Sequence, residues 1–168
     1  MAKGSSKVQG VNGTAERDGE LFSLATLTVE ARKRAVAHRL RAVRTEQEQL
    51  EALREIAANL IGSERLAVYQ VDASMSCCTL RWQFGMDSLL PIQLALAQEE
   101  HLRRAAEGDL VMANADSGTA FVGEFSAQAL VPIQLRNGFA GVLVLFTLLR
   151  QKKSLDASDR ELFKLFMH

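Results

Sequence analysis

The sequence predicts an α+β domain built on a central antiparallel sheet of five to six strands, with helices on one face and a second layer over the other. Three stretches carry this prediction: a helical run from about Thr28 to Leu60, paired apolar strands within Ala127–Leu149, and a capped helix at Leu155–Phe166. Both faces of the paired strands are mostly apolar, so each must be covered. A chain of 168 residues is long enough to bury a core on both sides of such a sheet.

Composition excludes several classes of partner and compartment. Twenty basic and twenty acidic residues cancel, so the chain has no overall field to attract nucleic acid, and we expect no nucleic-acid partner. Cys77 and Cys78 are adjacent and cannot bridge distant segments. Residues 1–13 lack the apolar core of a signal peptide, and the longest uncharged apolar run, Phe139–Leu149, is too short to cross a bilayer. These features predict a cytoplasmic protein without a membrane span.

The N-terminal third divides into a tail and a helical region. Residues 1–20 are rich in Gly, Ser and charge, and we expect a flexible tail. Between Thr28 and Leu60 there is no Gly or Pro, and Ala, Leu, Glu and Arg dominate, which predicts one long helix or two in close succession. Gly62 ends this region as a left-handed cap. We expect residues 21–50 to form a helical extension and residues 51–168 to form the globular domain.

A heptad pattern within this helical region indicates a dimer interface. Apolar residues recur every seven positions, with one apolar companion between them: Val29, Val36, Leu40, Val43 and Leu50. The other companion positions are polar, so the alternative is an amphipathic helix that packs only on its own domain. Basic residues precede acidic ones along the helix, so antiparallel pairing of two copies would match opposite charges. These charges could also form solvated faces only. A further interpretation is that the basic half binds nucleic acid or lipid.

The middle of the chain contains strands, a helix and a loop in succession. Arg65–Val71 and Cys77–Phe84 predict a hairpin whose second strand ends at Gly85. Ser88–Glu107 predicts a helix, with Pro91 near its start and Gly108 after its end. Leu110–Met112 then predicts a short strand, and Asn114–Glu124 a loop that contains Gly and Ser.

Arg136-Asn137-Gly138 joins the two apolar strands and predicts a tight hairpin, because Asn and Gly tolerate the positive φ that such turns require. A two-residue turn would place Pro132 opposite Leu143 at a hydrogen-bonded pair, where its missing N–H leaves a bond unmade. A three-residue turn with Gly138 in the left-handed conformation places Pro132 opposite Val142 at a non-hydrogen-bonded pair. The sequence therefore favours the three-residue turn.

The last predicted element is a short helix with its own start signal. Asp156 is its N-cap, and Asp159 three residues later approximates a capping box. Leu162, Phe163 and Phe166 give the helix one apolar face. The pattern predicts a helix that packs on the sheet and ends near the last residue.

The order of elements and a set of local motifs resemble a GAF domain, the small-molecule-sensing relative of the PAS fold. The likeness spans about Glu51 to the C-terminus and rests on Leu60-Ile61-Gly62, Val68–Asp72, Ala129–Ile133, Asn137-Gly138 with Gly141-Val142-Leu143, and the capped helix Leu155–Phe163. Residues 149–163 are also similar to the same stretch of short stand-alone GAF proteins in bacterial signalling clusters. The resemblance implies that the first and last helices share one sheet face and continue into a dimer bundle, while the crossover helix and loops cover a ligand on the other face.

Residues that could support catalysis are few, and we expect a non-catalytic protein. No pair among the three histidines has metal-ligand spacing with Cys or carboxylate, and no Gly-rich phosphate loop is present, so the sequence predicts no metal site and identifies no cofactor. Strand alternation sends the thiols of Cys77 and Cys78 to opposite faces, which favours a structural role over a reactive one. GAF-type methionine sulfoxide reductases use several cysteines across the pocket, and this chain lacks them. The chain also lacks the cysteine that anchors bilins in photosensory GAF domains. It likewise lacks the residue pattern of GAF domains that bind cyclic nucleotides.

The resemblance and the residue types together suggest a ligand site with an apolar wall and a few polar groups. Its candidates are Trp82, Phe84, His101, Asn114, Asp116, Ser117 and Thr119. The alternative is that the aromatics are ordinary core or surface residues and the polar groups cap a turn. The functional prediction is a regulatory homodimer that senses a small molecule, relays it through the N-terminal helix and has a protein partner in a signalling pathway. The alternative is a ligand-free adaptor that docks another signalling protein.

Overall fold

The computed structural model describes residues 28–114 and 118–167, and the predicted tail at residues 1–20 lies outside them. The helices are α1 (Val29–Ala42), α2 (Glu46–Ile56, followed by a π-helical turn at Ala57–Ile61), α3 (Glu100–Ala106, preceded by a 3-10 turn at Leu96–Gln98) and α4 (Ala157–Phe163). The strands are β1 (Arg65–Val71), β2 (Cys77–Phe84), β3 (Gln93–Ala95), β4 (Val111–Met112), β5 (Ala120–Val122), β6 (Phe125–Ala127), β7 (Ala129–Gln134) and β8 (Ala140–Thr147).

Six strands form one antiparallel sheet in the order β3-β2-β1-β8-β7-β4, and β5 pairs with β6 in a separate hairpin. The predicted register of the β7–β8 hairpin is confirmed. Pro132 lies opposite Val142, Gly138 has a φ of +87°, and the N–H of Leu135 donates to the carbonyl of Phe139 at 2.9 Å. The register assigns alternate residues of both strands to opposite sheet faces, as predicted.

Each sheet face has its own core, so the predicted α+β layering is confirmed. We call α1, α2 and α4 the helical layer, and the sheet face beneath it the helical face. Leu53, Leu66, Leu143 and Phe163 are buried there. We call the opposite side the crossover face; α3, the 3-10 turn and the β5–β6 hairpin cover it, with Leu102 buried among them.

The predicted helical run from Thr28 to Leu60 is two helices, and the break follows a local start signal. Thr45 is the N-cap of α2 and forms a capping box with Glu48: Thr45 Oγ1 accepts from the N–H of Glu48, and Glu48 Oε2 accepts from the N–H of Thr45, each at 3.2 Å. These backbone bonds, from Arg44 first and then Thr45, hold the pKa of Glu48 below its usual value. The Thr-x-x-Glu spacing is a known N-terminal signature and could have located the break. At the far end Gly62 is the predicted left-handed cap, with a φ of +84°.

Replacing Thr45 with Ala should lower the free energy of unfolding by about 1 kcal/mol, because the first turn of α2 loses its side-chain acceptor. Thr45→Ser keeps the oxygen and serves as the matched control. Urea denaturation of the three proteins measures the difference. Equal midpoints for the Ala and Ser variants would contradict a contribution of the capping box.

The residues predicted to form the dimer seam face the chain's own core. Val36, Val43 and Leu50 are 0%, 1% and 6% exposed, respectively, while Leu40 packs against the same core and Val29 is half-buried. This arrangement corresponds to the alternative in which the helices pack on their own domain. The predicted boundary at residue 50 falls inside α2. Pairing of this layer with a second copy stays a prediction. Val36, Val43 and Leu50 are buried in the chain's own core, whereas Val29 and Leu40 are only partly buried.

The prediction of a helix over Ser88–Glu107 is wrong for its first half. Residues 93–95 form β3 beside β2, the N–H of Leu80 donates to the carbonyl of Ile92 at 2.7 Å, and only Glu100–Ala106 is α-helical. The outer edge of β2 presents backbone groups that need partners, and this tertiary requirement overrides helix propensity. The loop predicted at Asn114–Glu124 also contains structure, since its second half forms β5 and turns at Gly123 into β6.

Candidate functional site

The structure does not bring together the five predicted ligand residues that it describes, Trp82, Phe84, His101, Asn114 and Thr119. Trp82 lies opposite Val68 while Leu80 lies opposite Tyr69, so Arg81 is an extra residue, a β-bulge, in β2. One extra residue reverses the alternation of side chains, and Trp82 therefore packs against the core of the helical face.

Phe84 extends this aromatic pair toward α2 rather than toward the crossover face. The rings of Trp82 and Phe84 stack with centroids 6.0 Å apart. The guanidinium of Arg54, on α2, lies 4.5 Å from the centroid of Phe84. The two predicted wall residues thus join a strand to the helical layer, which is the ordinary structural role that the sequence left open.

The crossover face is filled by side chains. Tyr69, Leu96 and Leu102 are at most 1% exposed, and the Tyr69 hydroxyl donates to the carbonyl of Pro91 at 3.0 Å. Burial raises the pKa of Tyr69 well above its ordinary value, which keeps the hydroxyl protonated as a donor. The resemblance to GAF domains implies a ligand beneath the crossover helix and loops. In this protein, side chains of the crossover face fill that space.

Two of the predicted residues meet in a groove at the outer edge of the sheet. We call it the β4 groove. It has a volume of ≈ 250 Å³, and its wall consists of His101, Arg104, Leu110, Val111, Met112, Asn114, Gly118, Ala120 and Arg160. Thr119 is exposed and follows Gly118 in the chain. Asp116 and Ser117 lie outside the described residues. The described members of the predicted set thus split into aromatics on one side of the sheet and His101, Asn114 and Thr119 at its edge.

Cationic side chains dominate the β4 groove. Arg104 lies 3.5 Å from Asp109, in a pair whose side chains are 48% and 62% exposed, so the contact is weak. Arg160 has no carboxylate partner in the described part of the chain, and no acidic side chain occurs among the described residues of the wall. His101 Nδ1 accepts from the N–H of Phe121 at 3.3 Å, which leaves Nε2–H as the donor of the neutral ring.

A buried ionic network lies beside this groove, at the start of α4. Asp159 is 0% exposed, and its Oδ1 accepts from Lys152 Nζ at 2.6 Å and from Arg32 Nη2 at 3.2 Å. Its Oδ2 accepts from the N–H of Asp156 at 2.9 Å, which completes the predicted capping box. We call Asp159, Arg32 and Lys152 the Asp159 network.

The Asp159 network also binds the end of α2. Arg32 donates to the carbonyl of Leu60, and Lys152 Nζ donates to the carbonyl of Ile61 at 2.6 Å. These are the final carbonyls of the π-helical turn, which lack partners within the helix. One carboxylate thus ties α1, the end of α2, the β8–α4 connection and α4 together. Sequence reasoning placed Asp159 in the capping box that Asp156 begins, but had no signal for Arg32, 127 residues away.

The two cysteines occupy different environments, as alternation predicts. Cys78 is fully buried on the crossover face and Cys77 is half-buried; both are free thiols. Burial first, and then the neighbouring Cys77 and Asp72, raise the pKa of the Cys78 thiol to about 12. A thiol with this pKa is neutral near pH 7 and a poor nucleophile.

In a Cys77→Ser variant, Cys78 should react with iodoacetamide at pH 8 at least about 100-fold more slowly in the native protein than in urea, because the buried thiol stays protonated. Mass spectrometry of timed samples measures both rates. The reciprocal Cys78→Ser variant is the control for reagent access. Equal native and unfolded rates for Cys78 would contradict its burial.

The described residues contain neither a metal-binding cluster nor a membrane-spanning helix. No group of three or more His, Cys, Asp or Glu side chains there could hold a metal ion. None of the described helices has the length and apolarity needed to span a membrane.

Comparison with known proteins reveals structural likeness without sequence likeness. No family model matches the chain, and no curated protein matches it significantly. The GAF domain of an Acinetobacter phosphoenolpyruvate-protein phosphotransferase is 19% identical, with a TM-score of 0.55 over 81% of this chain and 86% of that one. A Coxiella burnetii GAF domain from the same kind of protein is 15% identical, with a TM-score of 0.56 over 82% and 86%. Residues 122–287 of a methyl-accepting chemotaxis protein give 17% identity and a TM-score of 0.54 over 79% and 90%. At these identities the likeness shows the fold alone.

Proposed function

We propose that this chain, which has the GAF fold, is a non-catalytic regulatory module that binds a small molecule in the β4 groove and reports its presence through the helical layer. The observation that carries this proposal is that the groove and the Asp159 network share α4. The groove wall draws on α3 from the crossover side and on Arg160 from the helical side. A ligand there would contact both layers of the domain.

The relay is supported by the order of residues in α4. Arg160 follows Asp159 directly, and successive side chains of a helix point about 100° apart. One residue can therefore belong to the groove wall while its neighbour holds Arg32 of α1. A ligand that binds Arg160 acts on the same helical turn that fixes the start of α1, so its binding free energy can change how firmly α1 is held.

A thermal-shift screen of a metabolite library identifies ligands, and hydrogen exchange then tests the relay. We expect a stabilising ligand to alter amide exchange in peptides of α1 as well as at the groove. The Arg104→Gln/Arg160→Gln variant should lose both effects. Arg150→Gln, at an exposed residue outside both the groove wall and α1, is the matched control and should keep them. A ligand whose effects persist in the double variant binds elsewhere and would overturn the proposed site.

We also propose that the helical layer pairs with a second copy through charge. Arg34 and Arg41 are exposed on α1, while Glu48 and Glu51 are exposed on the antiparallel α2. Two copies related by a two-fold axis could set the basic stripe of one against the acidic stripe of the other. Light scattering should give a dimer mass for the wild type and a monomer mass for Arg34→Glu/Arg41→Glu. Arg150→Glu is the control, and a monomeric wild type at all concentrations would reject the pairing.

The adaptor is the second candidate, and two observations favour it. The crossover face is filled, and Leu89 and Ile92 are 88% and 72% exposed beside the outer edge of β2. Together with Leu80 and Trp82 they line an apolar groove of ≈ 360 Å³. Exposed apolar side chains in such a cluster are typical of protein contacts. A ligand screen without a hit, together with a binding partner that the Leu89→Asp/Ile92→Asp variant loses, would favour this function over the first.

A further inference from the structure

We propose that the β4 groove is a site for a small doubly charged oxyanion, a phosphate monoester or a dicarboxylate. This inference rests on the groove of the proposed function and adds the chemical class of its ligand. Neither the fold nor the likeness to other GAF structures specifies that class.

The charge of the wall selects an anion. Arg104 and Arg160 reach the groove from α3 and α4, and the described wall residues include no carboxylate. The neighbouring Asp109 is a weak, exposed partner of Arg104, so an anion in the groove would compete with it at small cost. Among the described wall residues, a cation would meet two guanidinium groups and no carboxylate.

The donors of the wall suit an oxyanion with several oxygens. A guanidinium is planar and presents paired N–H donors that match the oxygens of a phosphate or carboxylate. Two guanidinium groups from different helices match a ligand with two negative charges better than one with a single charge. His101 adds a neutral Nε2–H donor, because the N–H of Phe121 occupies its Nδ1.

The dimensions of the groove limit the ligand to a small molecule. Its volume is ≈ 250 Å³. Pockets for drug-sized ligands run from about 300 to 1,000 Å³. Leu110 and Val111 form a limited apolar wall that can accept a short carbon chain, while the guanidinium groups bind the charged ends.

Isothermal titration calorimetry of the full chain in low-salt buffer tests this class with methyl phosphate and succinate as probes. Trimethyl phosphate and succinamide are their neutral counterparts, and sodium chloride at matched ionic strength controls for screening. We expect one of the two anions to bind and its neutral counterpart to give no heat. Arg104→Gln and Arg160→Gln should each weaken that binding about tenfold or more, since each removes a charge-assisted contact. Arg150→Gln, at an exposed residue outside the groove wall, should bind like the wild type.

The outcomes separate this inference from the proposed function. Binding of methyl phosphate alone or of succinate alone supports the inference and identifies the oxyanion. The inference is overturned if sodium chloride at matched ionic strength gives the same heat. It is also overturned if both arginine variants still bind the anion. A neutral ligand from the library that stabilises the wild type and not the double variant overturns the anion class but leaves the groove as the site. No ligand of any kind at the groove overturns both.

Discussion

Replacing Asp159 with Ala should lower the free energy of unfolding by about 3 kcal/mol, because it leaves two largely buried cations without their carboxylate. Arg32 and Lys152 have side chains that are 13% and 22% exposed, so water can replace only part of the lost contact. The variant also loses the acceptor that completes the capping box of α4. At about 2–4 °C per kcal/mol for a chain of this size, the melting temperature should fall by about 10 °C.

Differential scanning calorimetry of Asp159→Ala and Glu161→Ala provides the comparison. Glu161 lies on the same helix, and its pair with Lys164 is exposed on both sides, so its loss should leave the melting temperature nearly unchanged. Hydrogen exchange adds a readout specific to the network: in Asp159→Ala, the first turn of α1 should lose protection along with α4. A variant that melts like the wild type, or loses protection only in α4, would show that Asp159 does not hold α1.

Local signals explain which parts of the fold the sequence could predict. The turn at Asn137-Gly138, the restriction on Pro132 and the cap at Asp156 depend on residues within a few positions of each other. Turn geometry and missing N–H groups act at that range and leave few alternatives. The register of the β7–β8 hairpin and the start of α4 therefore followed from sequence reasoning and were confirmed.

Tertiary requirements explain where prediction failed. Nothing in the sequence of β2 marks the bulge at Arg81, yet that one residue moves Trp82 and Phe84 from the crossover side to the helical face. The edge of β2 likewise converts the segment before α3 from a predicted helix into β3. Of the predicted polar residues, His101 and Asn114 line the same groove, and their role in binding stays a prediction. Arg104 and Arg160 were missed because exposed arginines are common and their convergence depends on how α3 and α4 pack.

Replacing Leu102 with Ala tests whether the crossover face is a packed core. Leu102 is 0% exposed and belongs to the cluster that holds α3 on the sheet. Truncating a fully buried leucine costs about 2–5 kcal/mol, which combines lost burial with the cavity that remains. We expect a loss of about 3 kcal/mol, a fall in melting temperature of about 10 °C, and loss of amide protection in α3 and its neighbours.

Leu89→Ala is the matched control, because it removes the same atoms from a side chain that is 88% exposed, and it should change stability by less than about 0.5 kcal/mol. The comparison also separates two interpretations of the domain. A crossover face that opens around a ligand would be loosely packed. Leu102→Ala would then lower the free energy of unfolding little more than Leu89→Ala does. A large difference means that the space beneath α3 belongs to the protein's own core. A ligand would then bind outside that core, as in the proposed site at the edge of the sheet, where Arg104 and Arg160 line the β4 groove.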